Sequence, residues 1–194
     1  MGWKICNSYS QGDDYLMIFT ETKLSGSFLI NVEKLEDERG FFTRSWDKKK
    51  FQDIGLNSDL VQCNISFNKK IGTLRGMHYQ ISPYQETKLV RCTRGKIFDV
   101  IIDLRNDSNT YKQWLGLTLD ANNHDLLYIP EGFAHGFQTL EDNSEIFYQM
   151  SKEYYPKASR GIRWNDPTFG IIWPLENKII SEKDLKYLDY IDDE

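Results

Sequence analysis

The chain has 194 residues, enough for one sizeable core and too few for two full domains. A net charge of −5 excludes nucleic-acid binding driven by overall charge and leaves room only for a local basic pocket that takes a small phosphorylated ligand. No apolar run reaches membrane-spanning length, and Cys6, Cys63 and Cys92, with no Cys-x-x-Cys pair and no signal peptide, read as reduced thiols of a cytoplasmic protein rather than a disulfide framework or a zinc ribbon.

The aromatic share of 14% suits a β-rich domain. In chain order, the apolar Phe28 to Val32 and the aromatic, β-prone Gly40 to Trp46 predict strands. Asp47 to Gly55 predicts a short helix with Asp47 as N-cap and Gly55 as its stop, and with the run Lys48-Lys49-Lys50 as a solvated face. Leu60 to Phe67, Lys88 to Cys92, Lys96 to Leu104, Trp114 to Leu119, Leu126 to Ile129 and Ile146 to Met150 follow as short strands, many separated by Gly, Asn, Asp or Pro. That rhythm belongs to an antiparallel sandwich or barrel. No repeat, linker or break in composition divides it, so residues 1–194 read as a single domain.

Two segments concentrate chemistry. Arg75-Gly76-Met77-His78-Tyr79-Gln80 patterns as a strand that carries a cation, an imidazole and a glycine suited to close approach. Ile129 to Phe137 holds His135 between glycines that suggest tight turns or close backbone contact. With three histidines in the chain, two in such settings carry weight, although for either one alone a hydrogen-bonded, half-buried strand histidine is the commoner use. Along Lys96 to Arg105, alternation puts Asp99 and Asp103 on one face with Ile97 and Ile101. Two inward carboxylates could bind a metal or position a base, but hydrogen bonding to neighbouring donors is their more frequent role. Near the end, Ser181 reads as an N-cap and Asp184 as an acid in the first helical turn.

Read in order, Asp37 to Phe42, Gln62 to Ser66, Arg75 to Gln80, Lys88-Leu89-Val90, Phe98-Asp99-Val100, Pro130 to Phe137, Tyr148, Trp164 to Pro167, Trp173-Pro174 and Ser181 to Asp184 resemble the landmarks of the nucleotide-sugar 3,5-epimerases, the dTDP-4-dehydrorhamnose 3,5-epimerase family. That resemblance implies a mainly β fold, a cupin-type jelly-roll barrel or sandwich with a few short peripheral helices. It also implies a nucleoside-diphosphate sugar as the partner in binding, no cofactor, no metal, no nucleic acid or membrane partner, and a homodimer to which the N-terminal strands contribute.

The implied substrate is a nucleoside-diphosphate 4-keto-6-deoxy sugar, whose C3 and C5 hydrogens are both α to the carbonyl. By the resemblance His78 is the base, Asp184 holds its imidazole, Lys88 stabilises the enolate oxygen and Tyr148 is the acid on the opposite face. Arg39 and Arg75 match positions that meet the diphosphate and nucleotide, Gln62 and Asn64 match polar contacts, His135 a second site histidine and Tyr154 an aromatic lining residue. Asp166, in a turn, stays outside this set.

The chain departs from the pattern at Arg44, where the family usually carries a Glu that bears on the base, and at Cys63, where an Asp is common. A guanidinium reverses that hydrogen-bond polarity, so CDP and GDP sugars stand beside dTDP sugars as candidate substrates. Two other classes remain for comparison. A metal-dependent cupin needs several His or carboxylate ligands on one ion, and His78 is followed by Tyr79-Gln80 rather than by a second His. A non-catalytic sugar-binding barrel would lack the base or the acid, and this chain carries both.

Overall fold

The computed structural model describes residues 5–7, 16–176 and 178–191. Its elements are β1 (Ile5–Asn7), β2 (Met17–Glu21), β3 (Phe28–Val32), β4 (Leu35–Asp37), β5 (Gly40–Phe42), α1 (Lys48–Asp53), β6 (Gln62–Asn68), β7 (Thr73–Gln80), β8 (Lys88–Arg94), β9 (Lys96–Asp103), β10 (Trp114–Asp120), β11 (Leu126–Ile129), β12 (Phe133–Thr139), β13 (Ser144–Met150), β14 (Ser159–Gly161), β15 (Ile179–Ile180) and α2 (Glu182–Leu185). One sheet runs β1-β2-β3-β11-β8-β13-β6 and a second runs β10-β9-β12-β7-β14, with β15 added in parallel to β7. The fold is a cupin-like β-sandwich, as the resemblance implies.

Alternation along the strands builds three apolar layers. Val90, Cys92, Leu127 and Ile146 of the first sheet meet Ile97, Ile101, Phe133 and Phe137 of the second between the two sheets. The outer face of the first sheet is capped by Phe51 of α1, packed with Phe19, Leu89 and Tyr128. Behind the second sheet, Met77, Val100, Ile102 and Ala134 are covered by the later segments through Ile162, Phe169, Trp173 and Tyr190. With both faces covered, every residue of β12 is buried, whereas β6 at a sheet edge keeps Cys63, Ile65 and Phe67 exposed and turns Gln62, Asn64 and Ser66 inward.

The structure corrects two sequence expectations. The strand predicted over Gly40 to Trp46 ends at Phe42, because β4 and β5 form an isolated two-stranded ribbon and the chain then turns so that Arg44 reaches Asp47. The lysine run is not a uniform solvated face: Lys48 and Lys49 are exposed, but Lys50 is buried beside Phe51, since successive helical residues point about 100° apart and three in a row cannot share one side. The glycines around His135 serve the two expected uses: Gly132, with a φ of +80, sits in the turn before β12, and Gly136 lies inside β12 in close backbone contact.

That glycine has a packing cause. A Cβ on Gly136 would lie 2.7 Å from the Arg75 carbonyl oxygen, and one on Gly76, whose φ is +125, would lie 2.5 Å from Gly136 Cα. Two glycines facing one another let β7 and β12 approach where the register shifts between His135 and Phe137, and they leave His135 directly opposite His78.

Candidate active site

Between the two sheets lies a cavity of about 370 Å³, of the size used for small ligands. Its two walls differ in chemistry. The β7 and β12 wall supplies Arg75, His78 and His135, and the β6, β8 and β13 wall supplies Gln62, Asn64, Lys88 and Tyr148, with Tyr154 and Lys183 also lining the space. Strand register makes this grouping: Tyr148 stands opposite Asn64, and Met150 stands between Gln62 and Lys88.

His78 and Asp184 meet although they are 106 residues apart, with His78 Nε2 2.8 Å from Asp184 Oδ1. The second oxygen, Oδ2, accepts from the Gly76 N–H at 3.3 Å. Ser181 caps α2 by accepting from the Asp184 N–H at 3.1 Å, so the backbone that carries the carboxylate is itself tied down. Burial pushes the Asp184 carboxyl up, but the hydrogen bond and charge of His78, the Gly76 N–H and the charge of Lys183 outweigh it, and the group is held below the usual carboxylate range. An ionised Asp184 takes the proton on His78 Nε2 as a hydrogen bond, which leaves the Nδ1 lone pair free to act as a base.

His135 is held in the same manner by Asp99, Nε2 to Oδ1 at 2.8 Å, but both residues are buried. Across the cavity, Lys88 pairs with Glu86, and both side chains are nearly enclosed. Tyr148 is half-buried, and its phenol is pushed up by burial and by the Glu86 charge and pulled down by Arg75, with a net rise that keeps it protonated through neutral pH. Arg75 donates from Nε to Asn68 Oδ1 at 2.7 Å. Gln62 Nε2 donates to Asn64 Oδ1 at 3.1 Å, while its carbonyl accepts from the Tyr154 N–H at 3.0 Å.

The structure thus brings together His78, Lys88, Tyr148, Asp184, Gln62, Asn64, Arg75, His135 and Tyr154. It does not bring Arg39 or Arg44 into this chain's own cavity. Arg39 is exposed at the tip of the β4–β5 ribbon and pairs with Asp37, and Arg44 pairs with Asp47 at the start of α1. Asp166 is a buried turn residue, accepting from the Thr168 N–H at 2.8 Å and from the Tyr190 N–H. Asp103 is absorbed in a network with Arg105, Ser108 and Thr110, a structural use. Among the lining residues given no site role by the sequence reading are Ser66, Lys183 and Glu86. Signals for each existed, since Ser66 continues the inward alternation of Gln62 and Asn64, Lys183 precedes Asp184, and Glu86 lies two residues before Lys88. Among the described residues no three His, Cys, Asp or Glu side chains gather as a cation cage.

Fold and cavity together define a cupin-like sandwich with an imidazole–carboxylate pair on one wall and an ammonium and a phenol on the other. The profile of dTDP-4-dehydrorhamnose 3,5-epimerase matches residues 21–191. A protein of that name from Methanothermobacter thermautotrophicus is 46% identical over 86% of this chain and 90% of its own length. The crystal structure of dTDP-4-dehydrorhamnose 3,5-epimerase from Bacillus anthracis with TDP and PPi bound superposes with a TM-score of 0.87 at 40% identity, covering 90% of this chain and 99% of that one. A Legionella pneumophila dTDP-6-deoxy-D-glucose-3,5-epimerase in complex with dTDP-4-keto-L-rhamnose gives a TM-score of 0.84 at 36% identity, covering 89% and 92%. The chain belongs to the dTDP-4-dehydrorhamnose 3,5-epimerase family.

Proposed function

We propose that this chain is a nucleotide-sugar 3,5-epimerase acting on a dTDP-linked 4-keto-6-deoxy hexose. One observation carries the reading: His78 and Tyr148 belong to different sheets, so a sugar ring between them meets a base on one face and an acid on the other. Inversion needs that arrangement, because the proton must return on the face opposite the one it left.

In the proposed sequence, Nδ1 of His78 takes the proton from C3 or C5, the C–H electrons pass into the carbonyl, and O4 becomes an enolate oxygen beside the Lys88 ammonium. Asp184 stabilises the imidazolium that forms. Tyr148 then donates its proton to the carbanionic carbon from the other side as the electrons return from O4, and solvent restores both groups. Arg75 and Lys183, the remaining cations of the cavity, suit the diphosphate. Gln62, Asn64, His135 and Tyr154 supply polar and aromatic contacts to sugar and nucleotide.

The whole span acts as one catalytic domain and pairs with a second copy in the cytoplasm. Support for pairing is the β4–β5 ribbon, which exposes Phe41 and Phe42 and holds Arg39 outward, out of reach of its own cavity. Cys63 and Cys92 are free thiols, as a reducing compartment allows. Among the described residues no helix is long and apolar enough to cross a membrane.

The test is incubation with the dTDP-linked 4-keto-6-deoxy glucose in heavy water after exhaustive EDTA treatment. Deuterium at C3 and C5 together with the inverted sugar is the expected result; absence of exchange overturns the reading. Parallel incubations with the CDP- and GDP-linked sugars decide the base, and because Arg44 is engaged by Asp47 rather than aimed into the cavity, the dTDP sugar is expected to be preferred.

A further inference from the structure

The cavity contains a carboxylate that the proton transfers above do not use. Glu86 sits two residues before Lys88, with its side chain 4% exposed and that of Lys88 10% exposed. Its Oε1 pairs with Lys88 Nζ, and its Oε2 accepts from Gln80 Nε2 at 2.9 Å. Gln80 is itself fixed, because its Nε2 also donates to the Tyr84 carbonyl at 2.9 Å and its Oε1 accepts from the Tyr155 N–H at 2.6 Å. Lys88 belongs to one sheet and Gln80 to the other, so Glu86 links the two sheets at the cavity wall with both oxygens engaged.

An ammonium on a four-carbon stem has many rotamers, and a buried one without a partner is strongly destabilised. A carboxylate clamped by a second, immobile side chain removes both problems at once and fixes the direction in which Lys88 points. We propose that Glu86 is a positioning residue of the epimerase site, holding the Lys88 ammonium on the line of the substrate O4 while touching no substrate atom itself. This rests on the epimerase reading given above.

The Glu86 charge has a second effect. The titratable groups that share its cavity are Lys88 on β8, Tyr148 on β13, Arg75, His78 and Tyr79 on β7, His135 on β12, Tyr154 after β13 and Lys183 on α2. For Tyr148 the largest influence is burial, which raises the phenol; Arg75 then lowers it and Glu86 raises it again. Removing the Glu86 charge therefore moves the loss of the Tyr148 proton toward lower pH.

Two substitutions separate reach from charge. Glu86→Gln keeps the length and loses the charge; Glu86→Asp keeps the charge and shortens the arm by one methylene. Each full-length protein is assayed with the dTDP-linked 4-keto-6-deoxy glucose for inversion and for deuterium uptake across neutral to alkaline pH, with dTDP calorimetry and thermal unfolding alongside. Both variants are expected to lose about tenfold in kcat with KM within about threefold, as for an interaction made mainly in the transition state. The alkaline limb should move to lower pH in Glu86→Gln and stay at the wild-type position in Glu86→Asp.

Wild-type kcat and pH profiles in both variants overturn the proposal. So does a lowered Tm with unchanged kinetics, which is what a merely structural ion pair would give. If Glu86→Gln does not fold or bind dTDP, Glu86→Asp decides alone: a tenfold fall in kcat with dTDP affinity retained supports the proposal, and wild-type kcat overturns it. A wild-type protein without exchange overturns the epimerase reading and this inference together, whereas an active wild type with unaltered variants removes only the latter.

Discussion

Two imidazole–carboxylate pairs stand side by side on neighbouring strands, His78 with Asp184 and His135 with Asp99, each at 2.8 Å. They differ in surroundings. The His78 side chain is 40% exposed and both oxygens of Asp184 are engaged, whereas the His135 side chain is 10% exposed and the buried Asp99 Oδ2 has no hydrogen-bond partner among the described residues. An imidazole open to the cavity and backed by a fully satisfied carboxylate can exchange a proton with a ligand and then with solvent. An enclosed pair cannot relay protons to water so readily, and it serves better as a fixed hydrogen-bond donor. Identical residue types at the same contact distance thus differ in exposure and in how far the carboxylate is satisfied, and the proposed roles of a working pair and a holding pair follow from both.

The largest effect should come from His78→Asn, which removes the proposed base and keeps a polar side chain. Exchange at C3 and C5 is expected to fall by roughly 10²–10⁴-fold, with dTDP binding by calorimetry little changed. Comparable exchange in the variant would place the base elsewhere, and His135 would be the first place to look. Tyr148→Phe tests the opposite wall: inversion should fall by about 10²-fold while deuterium still enters at one carbon, because abstraction survives when only the acid is missing. Exchange and inversion falling together would show that the two walls do not divide the labour.

A smaller loss is expected for Asp184→Asn, about 10- to 100-fold in kcat, since the imidazole remains but loses its anionic support. This variant also sharpens the contrast through acid stability. With its folded-state pKa below the unfolded value of about 3.9, Asp184 contributes stability that is present above that value and is lost as pH falls through the folded one. Urea midpoints measured from about pH 6 down to about pH 3 should therefore decline less steeply in Asp184→Asn than in the wild type. The smallest catalytic effect belongs to the holding pair. His135→Gln should cost less than about tenfold in exchange yet destabilise the fold by about 1–3 kcal/mol, because it disturbs the one bond that a buried, half-satisfied Asp99 makes. A large kinetic loss without a stability change would reverse the assignment of the two pairs.

Local pattern carried much of this architecture. β3 and β11 begin and end where the apolar runs Phe28 to Val32 and Leu126 to Ile129 do, and Asp47 caps α1 as its place before the helix suggests. Pattern failed where tertiary contacts decide. Nothing local shows that the β4–β5 ribbon finds no third strand among the described residues, that Lys50 is the lysine turned toward the sheet, or that Gly76 and Gly136 face each other across two strands. In the cavity, the residues legible in advance were those with distinctive chemistry in constrained segments, such as His78 and His135. Glu86 was passed over because an acid near a lysine usually reads as a solvated pair, and only the folded chain shows Gln80 closing over it. Arg39 and Arg44 were expected at the ligand, but Arg39 sits on a ribbon that points away from this chain's own cavity, and Arg44, two residues past that ribbon, is engaged by Asp47.

Asp184 arrives late. Strands β1 to β14 are in place by Gly161, yet the carboxylate that steadies His78 and the Lys183 of the cavity wall both come from a short later segment in which β15 runs beside β7 and α2 follows it. Tyr187 in that segment lies over Gly161, where any Cβ would come within 2.3 Å of its ring. A chain that ended at Gly161 would therefore carry every strand of the two main sheets except β15, but it would lack the carboxylate partner of His78 and the Phe169, Trp173 and Tyr190 cover of the second sheet. Cleavage ahead of Ser181 would remove Lys183, Asp184 and Tyr190 together, and with them part of the cavity wall, the His78 contact and part of that cover.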